Sequence, residues 1–383
     1  LLMMSTVGGM ILISANDFLT FYLGLELQAL PLYLLASLNR NSPKSSEAGI
    51  KYFILGCLAS GMLLFGISMV YGFSGTTNFG TMLELYQNNK GAVSPAILFG
   101  FVLILSGLFF KVASAPFHMW SPDVYEGSPT IITTFFATVA KFFVLLALIR
   151  VFFALIIAFQ IDGIDKIFFF TAIASLAVGS FGAIFQQNLK RLLAYSSISH
   201  VAFVLLGISA SNFNAFVACI LYVIIYAIIS IGIFAFLNLL TSPKKDELEN
   251  DENNNKIFNI SALSGLAKNN PVTAFCVATL MFSTAGIPPL AGFFSKFYII
   301  SALIMSQSFI IAVIAVLFSV ISAYYYLRIV KVMYFDAPTS ETAKIENSYS
   351  VKFVLILSAI LNIIAILFIN QIVSTIIKLI LNN

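Results

Sequence analysis

Four ionisable side chains stand inside long apolar runs. They are Glu26 in "FYLGLELQALPLYLL", Lys111 in "LFFKVASAPFHMW", Lys141 in "TTFFATVAKFFVLLALIR" and Lys296 in "STAGIPPLAGFFSKF". A charge in hydrocarbon is costly, so such residues face a partner or a hydrated path, and they mark ion pathways and proton relays. Glu26 is the only carboxylate inside a run, which leaves it either held protonated or paired with a cation. Lys111 comes just before Pro116, and Lys296 just after Pro288 and Pro289. Proline breaks the helix, and the carbonyls it frees need polar partners where there is no water. Snorkelling to a helix end is the structural alternative for Lys111. Lys141 has no break beside it and no near end to reach, so its position makes it an equal candidate. His200, in "AYSSISHVAF", reads either as a satisfied core histidine or as part of a wet polar lane with Tyr195, Ser196, Ser197 and Ser199. A neutral imidazole can pass a proton near physiological pH. His118, beside Trp120, reads as a cytoplasmic-rim residue, and Tyr324, Tyr325 and Tyr326 as an interfacial belt.

The elements that must position these groups are membrane helices. The chain has 383 residues, 60% hydrophobic and 9% charged, with a mean hydropathy of +0.99. Soluble domains carry about 25% charge. The apolar runs are continuous rather than alternating, which selects helices over a barrel. Eleven segments are expected: 1–14, 18–38, 46–72, 94–120, 129–155, 166–186, 190–208, 213–240, 271–300, 306–331 and 351–379. Their alternation puts thirteen of the 20 basic residues on one side, from Arg40 to Lys352, against Lys90, Arg150, Lys166 and Lys378 on the other. The richer side is the cytoplasmic one. With so lopsided a distribution, the net charge of +4 is no nucleic-acid footprint.

The polar stretch "TSPKKDELENDENNNKI", 241–257, has nothing to pack and is expected as a loose cytoplasmic loop, not a ligand site; 336–350 is read likewise. Cys57, Cys219 and Cys276 sit in apolar runs at no ligand-like spacing and read as small buried hydrophobes. There is no phosphate loop, C-x-x-C, haem or iron–sulfur spacing, or H-E-x-x-H, so no cofactor or metal is expected in this chain. The opening "LLMMSTVGGMILIS" lacks a basic region and a cleavage site. It is expected to be a helix entered partway, in a chain that starts inside a longer one. The proline-broken runs around Lys111 and Lys296 echo each other, as the broken helices of repeat-built transporters do.

Four stretches, "YLGLELQALPLYLL", "FFKVASAPFHMWSPDVYEGSPT", "AYSSISHVAF" and "AGIPPLAGFFSKF", resemble the subunit N family of the proton-pumping NADH:quinone oxidoreductase, respiratory complex I. That family is similar to the Mrp-type sodium/proton antiporter subunits. The resemblance implies an all-α polytopic antiporter-like fold with two inverted five-helix repeats, each with a broken helix. It implies domains at 1–155 and 156–335, the second carrying a cytoplasmic loop at 241–270, followed by a polar loop and a last membrane helix at 336–383. Glu26, Lys111, Lys141 and Lys296 match the family's protonatable residues, and His200 its polar tenth helix. The family has fourteen helices where eleven are read here, its first three being unmatched. The implied function is proton translocation along this Glu/Lys/His axis, driven by redox chemistry elsewhere. NADH, FMN, iron–sulfur clusters and quinone are expected in other membrane and peripheral subunits, and a bacterial inner membrane is expected over a mitochondrial one. An Mrp-type antiporter subunit and a non-transporting scaffold are the alternatives.

Overall fold

Apolar runs of this length have no water to satisfy their backbone, so each closes its own hydrogen bonds as a helix. The structure, a computed structural model, describes residues 1–88, 94–159, 163–241, 256–338 and 342–381. In chain order come α1 (Leu2–Ser14), α2 (Phe18–Ala36), α3 (Pro43–Ser74), the short α4 (Phe79–Asn88), α5 (Pro95–Val112), α6 (Trp120–Gly127) and α7 (Thr130–Phe135). A π-helical turn, Phe136–Ala140, joins α7 to α8 (Lys141–Phe159). Next are α9 (Ile164–Ile184), α10 (Leu189–Ser209), α11 (Phe213–Leu239), α12 (Leu266–Asn269), α13 (Pro271–Ala285), α14 (Ala291–Met305), α15 (Phe309–Phe335) and α16 (Tyr349–Leu381). Two-residue strands, β1 (Leu240–Thr241) and β2 (Lys344–Ile345), pair antiparallel. Among the described residues nine helices are long and apolar enough to cross a membrane, with α1, α13 and α14 as shorter apolar helices. Each of the eleven expected segments is thus occupied by apolar helix. The loop at 242–255 lies outside the described residues.

Local chemistry sets the helix starts. The Asp17 side chain accepts from Leu19 N and Thr20 N, and Asn188 from Lys190 N and Arg191 N. Pro43 and Pro95 occupy first turns, where a missing N–H costs nothing. Between α1 and α2 the backbones nearly touch: a Cβ on Gly8 would meet the Gly24 carbonyl and the Gln28 amide. Small residues allow this approach where no hydrophobic effect drives helices together.

Contacts between connections agree with the alternation. On the basic side Lys44 pairs with Glu126 at 3.3 Å, Lys51 with Asp123 at 2.7 Å, and Arg191 with Asp123 at 2.7 Å. Arg328 joins the same side through Gln187, at 2.8 Å. At the opposite end Arg150 reaches Ala15 O and Asn16 Oδ1. A miscounted helix would have mixed the two sets.

Burial alone would raise the Asp123 carboxyl, but hydrogen bonds from Lys51 and Arg191 outweigh it and hold its pKa below the ordinary value. The network's stabilisation is therefore present above the unfolded carboxyl's pKa and is lost as pH falls through the folded one. Asp123→Asn should lower the melting temperature at pH 7, and the gap should close below about pH 4. A gap that persists undiminished at pH 3 would contradict the assignment.

The core is two apolar layers stacked along the helix axes. One layer holds Leu12, Phe18, Leu25, Leu63, Val112, Val144, Val201 and Ile299. The other holds Ala29, Tyr33, Ala59, Phe110, Ala137, Ala194, Ala291 and Tyr325. Every site-bearing helix changes layer within a few residues. Glu26 falls between Leu25 and Ala29, Ser60 between Ala59 and Leu63, and Lys111 within Phe109–Ala113, where residues of the two layers interleave at the end of α5. Lys141, His200 and Lys296 fall in the matching intervals of α8, α10 and α14.

Candidate functional site

Glu26 and Lys111 meet across α2 and α5. Lys111 Nζ lies 3.5 Å from Glu26 Oε1 and donates to the Tyr33 hydroxyl at 2.8 Å. Ser60 Oγ, from α3, donates to the same Glu26 oxygen. The Lys111 side chain is 4% exposed and that of Glu26 17%, so their attraction is poorly screened. Helix α5 stops one residue after Lys111, where Ala113 takes a left-handed φ of 59°. The freed carbonyls find partners within the chain: Ser114 N donates to Phe109 O, and the Trp120 indole to Phe110 O at 2.9 Å. Ala115 N donates to Ser175 Oγ. The Lys111 ammonium is therefore left for Glu26 and Tyr33. Trp120 is not at the rim as expected; it is 3% exposed and stacks on Tyr52.

Lys141 donates to Ser197 Oγ on α10 at 2.6 Å and lies 5.4 Å from the centre of the Tyr125 ring. The expectation of no break beside it is corrected: the π-helical turn ends at Ala140. Gln28 Nε2 donates to Ala140 O at 3.4 Å. A cavity of ≈ 20 Å³, counted as room for the centre of a water-sized sphere, lies between the two lysines and is lined by Gln28, Tyr52, Lys111, Trp120 and Lys141. About 10–15 Å³ on that measure suffices for one water.

His200 sits between two tyrosine hydroxyls. Nδ1 is 2.7 Å from that of Tyr222 and Nε2 is 3.0 Å from that of Tyr326, which lies 2.6 Å from Ser196 Oγ. The tyrosine belt needs the same correction as Trp120. Only Tyr324 is exposed; Tyr325 and Tyr326 are buried, because successive helical residues point about 100° apart.

Lys296 reaches back across the second break. Its Nζ donates to Thr284 O at 2.9 Å, Ala285 O at 3.1 Å and Ser319 Oγ at 3.1 Å, and lies 5.3 Å from the Phe203 ring centre. Gly286, with φ +86°, ends α13 just before these prolines. Lys296 thus follows its break because it caps the helix before it, whereas Lys111 precedes a break capped by Trp120. On α10, Ser197, His200 and Phe203 recur every third residue, so the contacts of Lys141 and Lys296 stand about 9 Å apart along one helix.

Of the five predicted residues, Glu26 and Lys111 meet directly, and Lys141, His200 and Lys296 are brought near one another along α10, through Ser197, His200 itself and Phe203. Sequence reasoning missed Tyr33, Ser60, Gln28, Ser319 and Lys190; Lys190 was counted with the loop residues but is 4% exposed. Among the three cysteines, Cys57 is exposed rather than buried. No group of three or more His, Cys, Asp or Glu among the described residues could hold a metal ion.

Residues 15–322 match the family described as "NADH:quinone oxidoreductase/Mrp antiporter, TM". The chain is 48% identical, over 341 residues, to the NADH-quinone oxidoreductase subunit N of Paramagnetospirillum magneticum, covering 88% of this chain and 68% of that protein. Among solved structures it resembles a chain of respiratory complex I from Thermus thermophilus. That match has a TM-score of 0.81 and 28% identity, covering 97% of this chain and 78% of that one. A chain of the Mrp complex from Dietzia shares the fold, with a TM-score of 0.83, 20% identity, and coverage of 97% and 75%.

Proposed function

Because the chain belongs to the NADH:quinone oxidoreductase/Mrp antiporter membrane family, we propose that it is a proton-translocating subunit of an NADH:quinone oxidoreductase. Its bacterial relatives and its membrane-crossing helices place it, as a multi-pass protein, in a bacterial inner membrane. One observation carries the mechanism: Glu26, Lys111, Lys141, His200 and Lys296 occupy the seam between the two apolar layers. A structural role would not require five titratable groups at one depth, since each is costly to keep there.

The steps follow from the contacts. With Glu26 close, Lys111 holds its proton; moving the carboxylate away favours release towards the water-sized cavity beside Lys141. Lys141 passes charge through Ser197 to His200, whose two tyrosine partners fix its ring. Lys296, held by the carbonyls of a broken helix, is the last station, because movement of α13 against α14 alters its partners directly. The two breaks, at 113–119 and 286–290, support inverted repeats at 1–155 and 156–335, with 336–383 as a separate closing helix. The redox step belongs to peripheral and membrane partners carrying NADH, FMN, iron–sulfur clusters and quinone. Affinity capture of the tagged chain from mild detergent tests this assignment. Peripheral iron–sulfur subunits should co-isolate; recovery with Mrp-type subunits instead would sink it.

A further inference from the structure

Helices α13 and α16 both begin on the basic, cytoplasmic side, and a cleft opens between their first turns. It measures ≈ 210 Å³ on the same scale as the cavity beside Lys141, which is room for a headgroup rather than a single water. Its walls are the start of α13, preceded by Asn269 and Asn270, and Lys352, Leu355 and Ile356 of α16. Among the described residues no Asp or Glu lines it.

The walls offer donors without acceptors. Pro271 has no N–H to give, and the Asn270 side chain does not cap the helix. The amides of Val272 and Thr273 are left without a hydrogen-bond partner among the described residues. An uncapped helix start favours an anion, both by its free N–H groups and by its dipole. Thr273 is a second and separate sign. It is 8% exposed and lines the cleft, yet its hydroxyl has no partner among the described residues. The other threonines of α13 turn theirs back onto the helix, Thr279 to Phe275 O at 2.9 Å and Thr284 to Met281 O at 2.8 Å. Lys352 adds a full positive charge. Its Nζ donates to Asn347 Oδ1, a neutral acceptor, at 2.6 Å, and among the described residues no carboxylate pairs with it. Towards the membrane the surface turns apolar. Phe275, one turn after Val272, and Ile360, one turn after Ile356, are both exposed on the faces that bound the cleft.

We propose that this cleft holds the phosphate of an anionic phospholipid from the cytoplasmic leaflet, with its acyl chains lying along Phe275 and Ile360. Basic pockets between membrane helices on this side suit such headgroups. The phosphate oxygens accept from Val272 N, Thr273 N and the Thr273 hydroxyl, and Lys352 pairs with their charge. A choline or ethanolamine headgroup brings a cation that meets Lys352 and finds no carboxylate, so the cleft selects the anionic class. The site does not depend on the proton-translocating reading.

The test uses the assembled complex in phosphatidylcholine vesicles that contain a minor fraction of phosphatidylglycerol with a photoreactive acyl chain. After irradiation, mass spectrometry of the digested chain should find label on α13 and α16 beside the cleft. Lys352→Gln and Thr273→Val should each cut that label about fivefold and leave label elsewhere on the chain unchanged. Thr273→Val keeps the shape and removes a hydroxyl that braces nothing, so it decides the matter if Lys352→Gln fails to assemble. Absence of label at the cleft, or full label in Thr273→Val, overturns the proposal. Equal labelling by photoreactive phosphatidylcholine overturns it too, because the cleft would then hold any neighbouring lipid. Displacement of the label by excess inorganic phosphate would make the site one for a free anion, and would likewise overturn it.

Discussion

Combining Glu26→Gln with Lys111→Met is expected to lose no more proton pumping than the worse of the two single substitutions. The two residues form one poorly solvated unit, 3.5 Å apart, with Tyr33 and Ser60 completing its hydrogen bonds. Removing one partner leaves the other charge buried and uncompensated, a penalty of about 3–5 kcal/mol. Glu26→Gln strands the ammonium, and Lys111→Met strands the carboxylate. The double substitution removes both charges, so it should assemble better than either single while pumping no worse than the poorer one. Pumping rates and assembled yield for the three variants in reconstituted vesicles decide it. Losses that multiply across the series would mean that the two residues act independently.

Lys296→Met should damage both assembly and pumping, and Lys296→Arg should restore the first without the second. The methionine leaves the carbonyls of Thr284 and Ala285 without their donor at the end of a helix inside the membrane. Each unpaired carbonyl costs about 1–3 kcal/mol, enough to destabilise the break. Arginine supplies donors to the same carbonyls and to Ser319 but keeps its proton. The readouts are assembled complex in native gels and proton uptake in vesicles. An arginine variant that pumps at the normal rate would reduce Lys296 to a helix cap.

Much of this arrangement was legible because a charge inside an apolar run has few explanations. Glu26, Lys111, Lys141 and Lys296 stand out on that ground alone, and the apolar segments that the described helices occupy follow from run length. The pairing of Glu26 with Lys111 is different. The residues are 85 positions apart, and no periodicity joins them; only the family resemblance suggested it. The π-helical turn before Lys141 carries no proline or glycine at 136–140 and so gives no sequence signal. Tyr326 was hidden by its neighbours, since a run of three tyrosines beside an arginine looks interfacial until the helix turns two of them inward. Trp120 and Lys190 were misplaced for a related reason. Both stand at segment ends, where sequence suggests solvent, and both are covered by chain from elsewhere: α3 over Trp120 and the Phe258 segment over Lys190. The two-layer core is a property of three dimensions. It appears in sequence only as polar residues near the middle of many helices, including Ser60, Ser180 and Ser319, which have no charge to mark them.

The central claim is that the buried polar groups move protons rather than bracing the bundle, and Lys141→Ala tests it most directly. Among the described residues Lys141 makes one side-chain hydrogen bond, to Ser197, so the substitution removes the proposed proton carrier with little loss of support. Proton pumping should be measured in vesicles, normalised to assembled complex. The account predicts near-normal assembly with pumping cut at least about tenfold. Pumping that falls only in proportion to assembled complex would contradict it, because Lys141 would then be packing and nothing more.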